Sequence, residues 1–402
     1  MCVFVLRVRF QYSLAIIDQS EVQKRDKKAA NKQHGGEQTK QRMRFGGPLS
    51  DRFKFFSTGV RRLLVLAVFP DKCGESNQFI DDVTSMMGFH ELAQTYPSHR
   101  RIWTADIKAT LEAQGQQTAA SYCPCIYCVK SRCLFRTSER AELRTMDSNL
   151  LSFSMWKDEG ESNLSKAKEF HNCTHPPVPA LFQPTDVFLH KVPPPGLHIV
   201  LGIVNDGLKR LEALNSSIVG VFLASLNLAR AKQWGGHIDG NQCRHILEHL
   251  NKLIELVVEW RDSMDPIEEI AIRDTDAIAD EMLQIVDMLL SFKEVVHKCF
   301  GWALLPDYKQ SIASFRATFE GIEPPRPVTP KVHIVFEHVA DFCERESRGL
   351  CIGSEQAHET LHSFFSGVHA KHQVKDIHSP SYAPLLLQTV LELNAMSCIR
   401  IT

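Results

Sequence analysis

The sequence lacks a continuous apolar segment that approaches the roughly 18 residues of a membrane helix. Arg7 and Arg9 interrupt the apolar run at its start, and no small-residue cleavage site follows, so we expect no signal peptide. It also lacks internal repeats and coiled-coil heptads, which argues against solenoids and coiled coils. Its formal net charge is -1, so any contact with nucleic acid must come from a local patch. These features predict an intracellular protein of the nucleus or cytoplasm.

The twelve cysteines form few clusters in the sequence. Most of the twelve cysteines are isolated in the sequence, which is typical of a reduced intracellular protein. The exception is the stretch from residue 123 to residue 133, which contains Cys123, Cys125, Cys128 and Cys133. This stretch is therefore a candidate for a metal site rather than for a disulfide framework.

Two segments in the first part of the chain have the patterns of strands. Residues 8–14 alternate apolar and polar side chains, which indicates a strand with one buried face. Residues 63–69 form a continuous apolar run, which is typical of a strand buried on both faces. Asp71 stands at the carboxyl end of the second segment, where catalytic acids project in sheets of this kind.

The second half of the chain has the apolar period of helices. Thr329 as N-cap and Pro330 in the first helical position mark the start of one of them. Gly301 is expected to end another. The predicted helices cover residues 196–214, 243–260, 278–301, 308–322, 328–345 and 354–372.

Cys125 and Cys128 form a C-x-x-C pair that can bind one zinc ion, but a structural site needs four ligands. No second C-x-x-C exists, and Cys123 and Cys133 lie too close by to be ideal. Histidine pairs are better partners, and two of them have suitable spacing. They are His333 with His338, and His358 with His362.

The spacing of His333 and His338 sets a geometric condition. Residues five apart on an ideal helix point about 140° away from each other. For these two histidines to share a metal, His333 must lie in the opening turn or the helix must deform. The start of the helix at Pro330 makes the first solution feasible.

The segment from His358 to His362 also has the pattern H-E-x-x-H of zinc proteases, in which Glu359 would be the general base. Such enzymes need a third protein ligand. The extended motif fails at Phe365 and Val368, and Glu392 is the sole downstream candidate. We expect no protease site here, although this alternative stays open.

Three features in this order resemble the DDE recombinase core of Transib-type transposases and of the V(D)J-recombinase catalytic subunit. They are the buried strand that ends in Asp71, the stretch TAASYCPCIYC at 118–128, and the segment 329–365 with its histidine pair and S-E-x-x-x-E pattern. The G-N-x-x-R segment at 240–244 is similar to part of the family's insertion domain.

The resemblance implies an α/β fold, with an RNase H-like sheet interrupted by a large, mostly helical insertion and tied by zinc. Residues 1–120 would form the N-terminal part of the core without its first strand. Residues 121–330 would hold the zinc-binding segment and the helical insertion, and 331–402 the C-terminal helices that complete the core. The implied ligands of the structural zinc are Cys125, Cys128, His333 and His338.

The implied catalytic residues are Asp71, as the family's second aspartate, and Glu359, as its glutamate. They would hold Mg²⁺ or Mn²⁺ for two-metal phosphoryl transfer. The family's first aspartate lies on a strand before residues 8–14, where this sequence has none. We therefore expect a domesticated, decayed or truncated mobile-element protein without strand-transfer activity.

The expected partners are DNA and a second copy of the chain, with no membrane and no small-molecule substrate. Two alternative functions remain open. One is the zinc metalloprotease at residues 358–362. The other is a non-enzymatic zinc-containing module that binds nucleic acid or protein.

Overall fold

The structure is a computed structural model, and its described residues are 65% helix and 3% strand. None of the described helices is both long and apolar enough to cross a lipid bilayer. The described residues are 11–13, 65–68, 104–160, 163–178, 183–228, 238–263 and 269–353, with short pieces at 379–381, 384–385, 387–389 and 391–392.

The predicted RNase H-like sheet is wrong. The described residues contain one antiparallel pair of strands, β1 (Gln11–Ser13) and β2 (Val65–Val68), with an irregular register between Tyr12 and Ser13. Both strands fall inside the segments predicted from sequence. Two short strands cannot form the multi-stranded layer that an α/β core requires, and the other long elements in the described residues are helices.

Ten α-helices follow up to residue 353 in the described part of the chain, and the short described pieces at 384–385, 387–389 and 391–392 are helical as well. Short 3₁₀-helices lie at Arg132–Leu134, Leu164–Phe170 and Leu350–Gly353. The helices are α1 (Ile107–Ala113), α2 (Met146–Gly160), α3 (Phe188–Lys191), α4 (Gly196–Ser225), α5 (Gly240–Glu248), α6 (Leu250–Asp262), α7 (Glu269–Cys299), α8 (Tyr308–Glu320), α9 (Pro330–Glu337) and α10 (Val339–Glu346).

Helix α7 is the centre of the helical body. Its residues Met282, Ile285, Leu289 and Phe292 recur at helical spacing and are fully buried. This face packs against α4, α6 and α8. The helix predicted at residues 278–301 is thus confirmed, and it begins earlier than the apolar pattern suggested.

Helix α4 is bent at Asn215, which has non-helical backbone angles (φ -152°, ψ 96°). The side-chain oxygen of Asn215 accepts hydrogen bonds from the backbone N–H groups of Ser217 and Ile218. Asn215 therefore acts as an N-cap inside the helix and starts its second half. The sequence pattern ended the helix at residue 214, which is where the bend occurs.

The predicted helix at residues 243–260 is two helices. His249 separates α5 from α6, because its backbone (φ -116°, ψ 17°) leaves the helical region. Leu247, Leu250 and Leu253 are nevertheless buried together, as the apolar stripe predicted. The apolar pattern continues across the break and so gives no sign of it.

An aromatic cluster joins α7, α8 and α9. The ring of Phe315 lies 5.1 Å from that of Phe292 and 5.5 Å from that of Phe336, measured between centroids. The same continuous core includes residues 125–128 of the cysteine-rich stretch. This stretch is therefore packed into the body of the protein and is not a separate surface knuckle.

Two glycines should respond oppositely to alanine substitution. Gly115 has φ +75°, and an added Cβ would overlap the carbonyl oxygen of His175. We expect Gly115→Ala to lower the free energy of unfolding by about 2 kcal/mol or more, because the backbone must shift. Gly220 lies inside α4 with open space around it, so Gly220→Ala should raise stability by about 0.5–1 kcal/mol. Denaturant unfolding measures both, and a Gly115→Ala protein as stable as the wild type would contradict the close contact.

Candidate metal centre

Cys125 and Cys128 lie on a loop held by backbone hydrogen bonds. The Cys125 Sγ accepts a hydrogen bond from the backbone N–H of Tyr127 at 3.3 Å, which favours the ionised form of the sulfur. Cys128 forms an isolated β-bridge with Leu143, and Arg144 N–H donates to the Tyr127 carbonyl at 2.8 Å. The returning chain at 143–144 therefore fixes the shape of the loop.

His333 lies inside α9, and His338 directly follows the last residue of this helix. The N-cap Thr329 accepts a hydrogen bond from the N–H of Val332, and Pro330 occupies the first turn, as predicted. His333 is the fourth residue of this helix. His338 has φ -122° and ψ -26° and separates α9 from α10, so the predicted single helix at 328–345 is two. This break supplies the deformation that the spacing of the two histidines requires.

The four side chains meet in one group. Cys125 Sγ lies 3.3 Å from Nε2 of His338, and Cys128 Sγ lies 3.3 Å from Nε2 of His333. All four ligand atoms lie within 4.8 Å of one another. A tetrahedral zinc site, with Zn–S near 2.3 Å and Zn–N near 2.0–2.1 Å, places its donors about 3.3–3.8 Å apart. The two Sγ–Nε2 distances agree with this spacing.

Burial of the group is nearly complete, since the four residues are between 0% and 4% exposed. The ring of Phe135 stacks on that of His333 at 4.0 Å, and the Tyr127 ring meets the His338 ring edge-on at 5.2 Å. Nδ1 of His333 and Nδ1 of His338 have no hydrogen-bond partner within the described residues. The orientation of the imidazoles is thus set by aromatic packing, whereas zinc ligands more often use a hydrogen bond for this.

The electrostatics of the group favour a metal cation. The hydrogen bond with Cys125 is the largest of the effects that lower the pKa of Cys128 to about 2, and bonds with both histidines act in the same direction. Burial raises the pKa of Cys125 well above its ordinary value. The two thiols thus share one proton, which a metal would displace. Burial lowers the pKa of His333, which keeps its ring neutral and able to coordinate.

Arg144 holds the cysteine loop through hydrogen bonds to its backbone carbonyls. The sequence did not indicate this role. Its fully buried guanidinium donates from Nε to the carbonyl oxygens of Cys125 at 3.0 Å and Cys128 at 2.9 Å. Nη2 donates to the carbonyl oxygens of Cys123 at 3.1 Å and His171 at 3.0 Å. All these acceptors but one belong to the cysteine stretch. Nothing in the local sequence distinguishes Arg144 from a surface arginine.

A set of ion pairs also joins the cysteine loop to the histidine helix. Glu337 precedes His338 and pairs with Lys130 at 3.7 Å and with Arg316 at 3.0 Å. Lys130 and Glu337 are 3% and 10% exposed, so solvent screens the pair only weakly. Lys130 Nζ also donates to the Thr137 carbonyl at 2.8 Å. These contacts would hold the two halves of the group near each other without a metal.

The remaining predicted site residues do not join this group. Cys123 is buried but is not one of the four clustered ligands, and Cys133 is exposed. Asp71 and Glu359, the predicted catalytic acids, lie outside the described residues. So do His358 and His362, hence the protease alternative is untested.

No protein-family model matches the chain, and no curated protein is significantly similar to it. The resemblance to DDE recombinases therefore stays a prediction that depends on the motifs. The candidate metal centre does not depend on that resemblance, because it is defined by the distances and burial of its four side chains.

Replacing Arg144 should loosen the cysteine loop. In Arg144→Lys a single ammonium group cannot reach the separate carbonyls that the guanidinium now binds. Because each buried acceptor left unpaired costs about 1–3 kcal/mol, we expect a loss of about 3 kcal/mol or more in the free energy of unfolding. Denaturant unfolding tests this expectation. The matched control is Arg140→Lys, whose side chain is 71% exposed and pairs with Asp341 at the surface, and which should change little.

Proposed function

We propose that Cys125, Cys128, His333 and His338 hold a structural zinc ion. The observation that carries the proposal is the convergence of two thiols and two Nε2 atoms in one buried group. Thiolate and imidazole ligands suit zinc, and four protein ligands leave no open position for water or substrate. The role of such a site is to stabilise a fold rather than to catalyse a reaction.

The proposed zinc would join parts of the chain that lie far apart in sequence. Residues 123–128 lie between α1 and α2 in the sequence, whereas His333 lies in α9 and His338 directly follows it. Zn²⁺ with two thiolates is electrically neutral, so its burial leaves no uncompensated charge. The binding free energy of a structural zinc is also folding free energy.

Purified protein should contain about one tightly bound zinc per chain. Cys125→Ser should lose this zinc and unfold at a lower temperature, since a neutral hydroxyl is a poor substitute for a thiolate. Elemental analysis and thermal unfolding, each with and without a strong chelator, measure the two effects. Cys133→Ser is the matched control, because Cys133 is an exposed thiol of the same stretch.

Two results would contradict the zinc proposal. One is full zinc content in Cys125→Ser, which would place the ion elsewhere. The other is an unfolding temperature of wild-type protein that a chelator leaves unchanged even though the metal has been removed. Binding of Co²⁺ gives an independent check, because thiolate-to-cobalt charge-transfer absorption should appear in the wild type and weaken in Cys125→Ser.

We further propose that the chain is a mobile-element-derived, recombinase-like protein that binds DNA and does not cut it. The family resemblance implies that one C-x-x-C pair and one H-x4-H pair, about two hundred residues apart in sequence, bind the same zinc. In support of the proposal, these two pairs do lie together in the structure. In the G-N-x-x-R segment, Asn241 and Arg244 are exposed at the start of α5, where they can reach a phosphate backbone.

DNA binding should be weak and should decrease steeply with salt, because phosphate contacts release counterions and the net charge of the chain is only -1. Fluorescence anisotropy with a labelled duplex at about 50 and 200 mM salt measures both properties. Arg244→Ala should weaken binding, and Lys209→Ala, an exposed cation on α4, serves as the control. Equal DNA affinity of the wild type and Arg244→Ala would show that residues 240–244 do not contact DNA through Arg244.

A nuclease assay tests whether the protein cuts DNA. Supercoiled DNA incubated with the protein and Mg²⁺ or Mn²⁺ should remain intact if the protein binds DNA without cutting it. Nicking by wild type that Asp71→Asn or Glu359→Gln abolishes would show an active enzyme. That result would overturn the non-cutting part of the proposal while supporting the relationship to recombinases.

A further inference from the structure

A second group of metal-binding side chains lies where α5 meets α6, and its members belong to a single short segment. His245, Glu248 and His249 bring their ligand atoms within 4.8 Å of one another. The two imidazole rings lie 4.3 Å apart between centroids. None of the three residues is buried, in contrast to the cysteine-containing group.

The break between the two helices explains how three near neighbours in sequence can meet. His245 and His249 are four residues apart, so a helix places them on the same face. Glu248 would normally point about 100° away from His249 on a continuous helix. Because α5 ends at Glu248 and His249 leaves the helical region, the carboxylate approaches the two rings.

A hydrogen bond fixes the form of His249 that a metal requires. Nδ1 of His249 lies 2.8 Å from the backbone carbonyl oxygen of His245. A carbonyl can only accept, so Nδ1 carries the proton and the lone pair of the neutral ring is at Nε2. This is the arrangement by which metal-binding histidines are usually oriented, with the far nitrogen bonded to a carbonyl.

The other two members are free to coordinate. Within the described residues, the side chains of His245 and Glu248 make no hydrogen bond and no ion pair, although Arg244 and Lys252 are close in sequence. A surface glutamate between two basic residues would ordinarily pair with one of them. One ligand atom from each of the two imidazoles and the carboxylate is instead left within 4.8 Å of the others.

We propose that His245, Glu248 and His249 form a second, solvent-accessible site for a divalent transition-metal ion. Two imidazole nitrogens and one carboxylate oxygen suit Zn²⁺, Ni²⁺ or Cu²⁺ better than Mg²⁺ or Ca²⁺, which prefer oxygen ligands alone. Three protein ligands leave at least one position for water or for a group from another molecule. The site is independent of the cysteine-containing centre and would exchange its metal readily because it is exposed.

The test begins with protein from which loosely bound metal has been removed by gel filtration. Titration with Zn²⁺, followed by calorimetry, should show one further ion bound per chain. His245→Ala and His249→Gln should each lower the affinity for this further Zn²⁺ ion by about 10-fold or more. Losing a residue that only supports a metal ligand already costs about 10-fold, and losing a ligand should cost at least as much. Glutamine at 249 keeps an N–H donor for the carbonyl of His245 while removing the imidazole. Glu248→Gln should weaken binding as well.

His297→Ala is the matched control, because His297 is an exposed histidine in the last turn of α7 and has no metal-binding neighbours in the described groups. It should leave the titration unchanged. Loss of zinc from the cysteine-containing centre, tested by Cys125→Ser, should not alter the event either. This separates failure of the second site from failure of the first.

A measurement on the wild-type protein avoids any effect of substitution on folding. Nuclear magnetic resonance of the imidazole nitrogens should show that added Zn²⁺ shifts the signals of His245 and His249 at their coordinating nitrogens. The signals of the other exposed histidines should stay in place. No further zinc bound by the wild type, or equal binding by wild type and the His245 and His249 variants, would refute the site.

Discussion

A buried guanidinium must have every N–H group bonded, and Arg144 meets this condition largely with the backbone of the cysteine stretch. Its remaining bonds go to the His171 carbonyl, the Asn149 side chain and the Cys173 sulfur. Its acceptors are mainly carbonyl oxygens rather than a carboxylate, so each bond also fixes a peptide group in place. The loop that carries Cys125 and Cys128 cannot take another shape without leaving a charged donor unpaired in the core. Protein contacts alone therefore hold the two cysteines of the candidate metal centre in place, without a bound ion.

The histidine side is prearranged by a different means. One histidine of each proposed site, His249 and His338, stands at a break between consecutive helices, with similar backbone φ angles of -116° and -122°. A residue at such a break is released from the regular angular spacing of the helix. Its side chain can then meet a partner that an unbroken helix would hold on another face. In both groups the break brings together donors that spacing alone would separate.

The sequence predicted which four side chains would form the candidate metal centre but not the fold around them. Spacing identified Cys125 and Cys128 as one pair and left two histidine pairs open, and the family resemblance selected His333 with His338. The sheet was predicted from a resemblance, whereas the described residues themselves show helical spacing nearly throughout. Arg144 could not be identified, since its importance depends on carbonyls that only the folded loop brings together. The helix breaks were hidden for a related reason, because the apolar pattern runs through them.

The separation of the two ligand pairs has a consequence for how the protein is made. The Cys125 and His338 atoms that meet are 213 residues apart in sequence. At ribosomal rates of about 5–20 residues per second, the thiols are synthesised about 10–40 s before the second histidine. During that interval neither thiol has its imidazole neighbour. The group of four can therefore form only after His338 has been synthesised, and it needs both thiols to be reduced at that time.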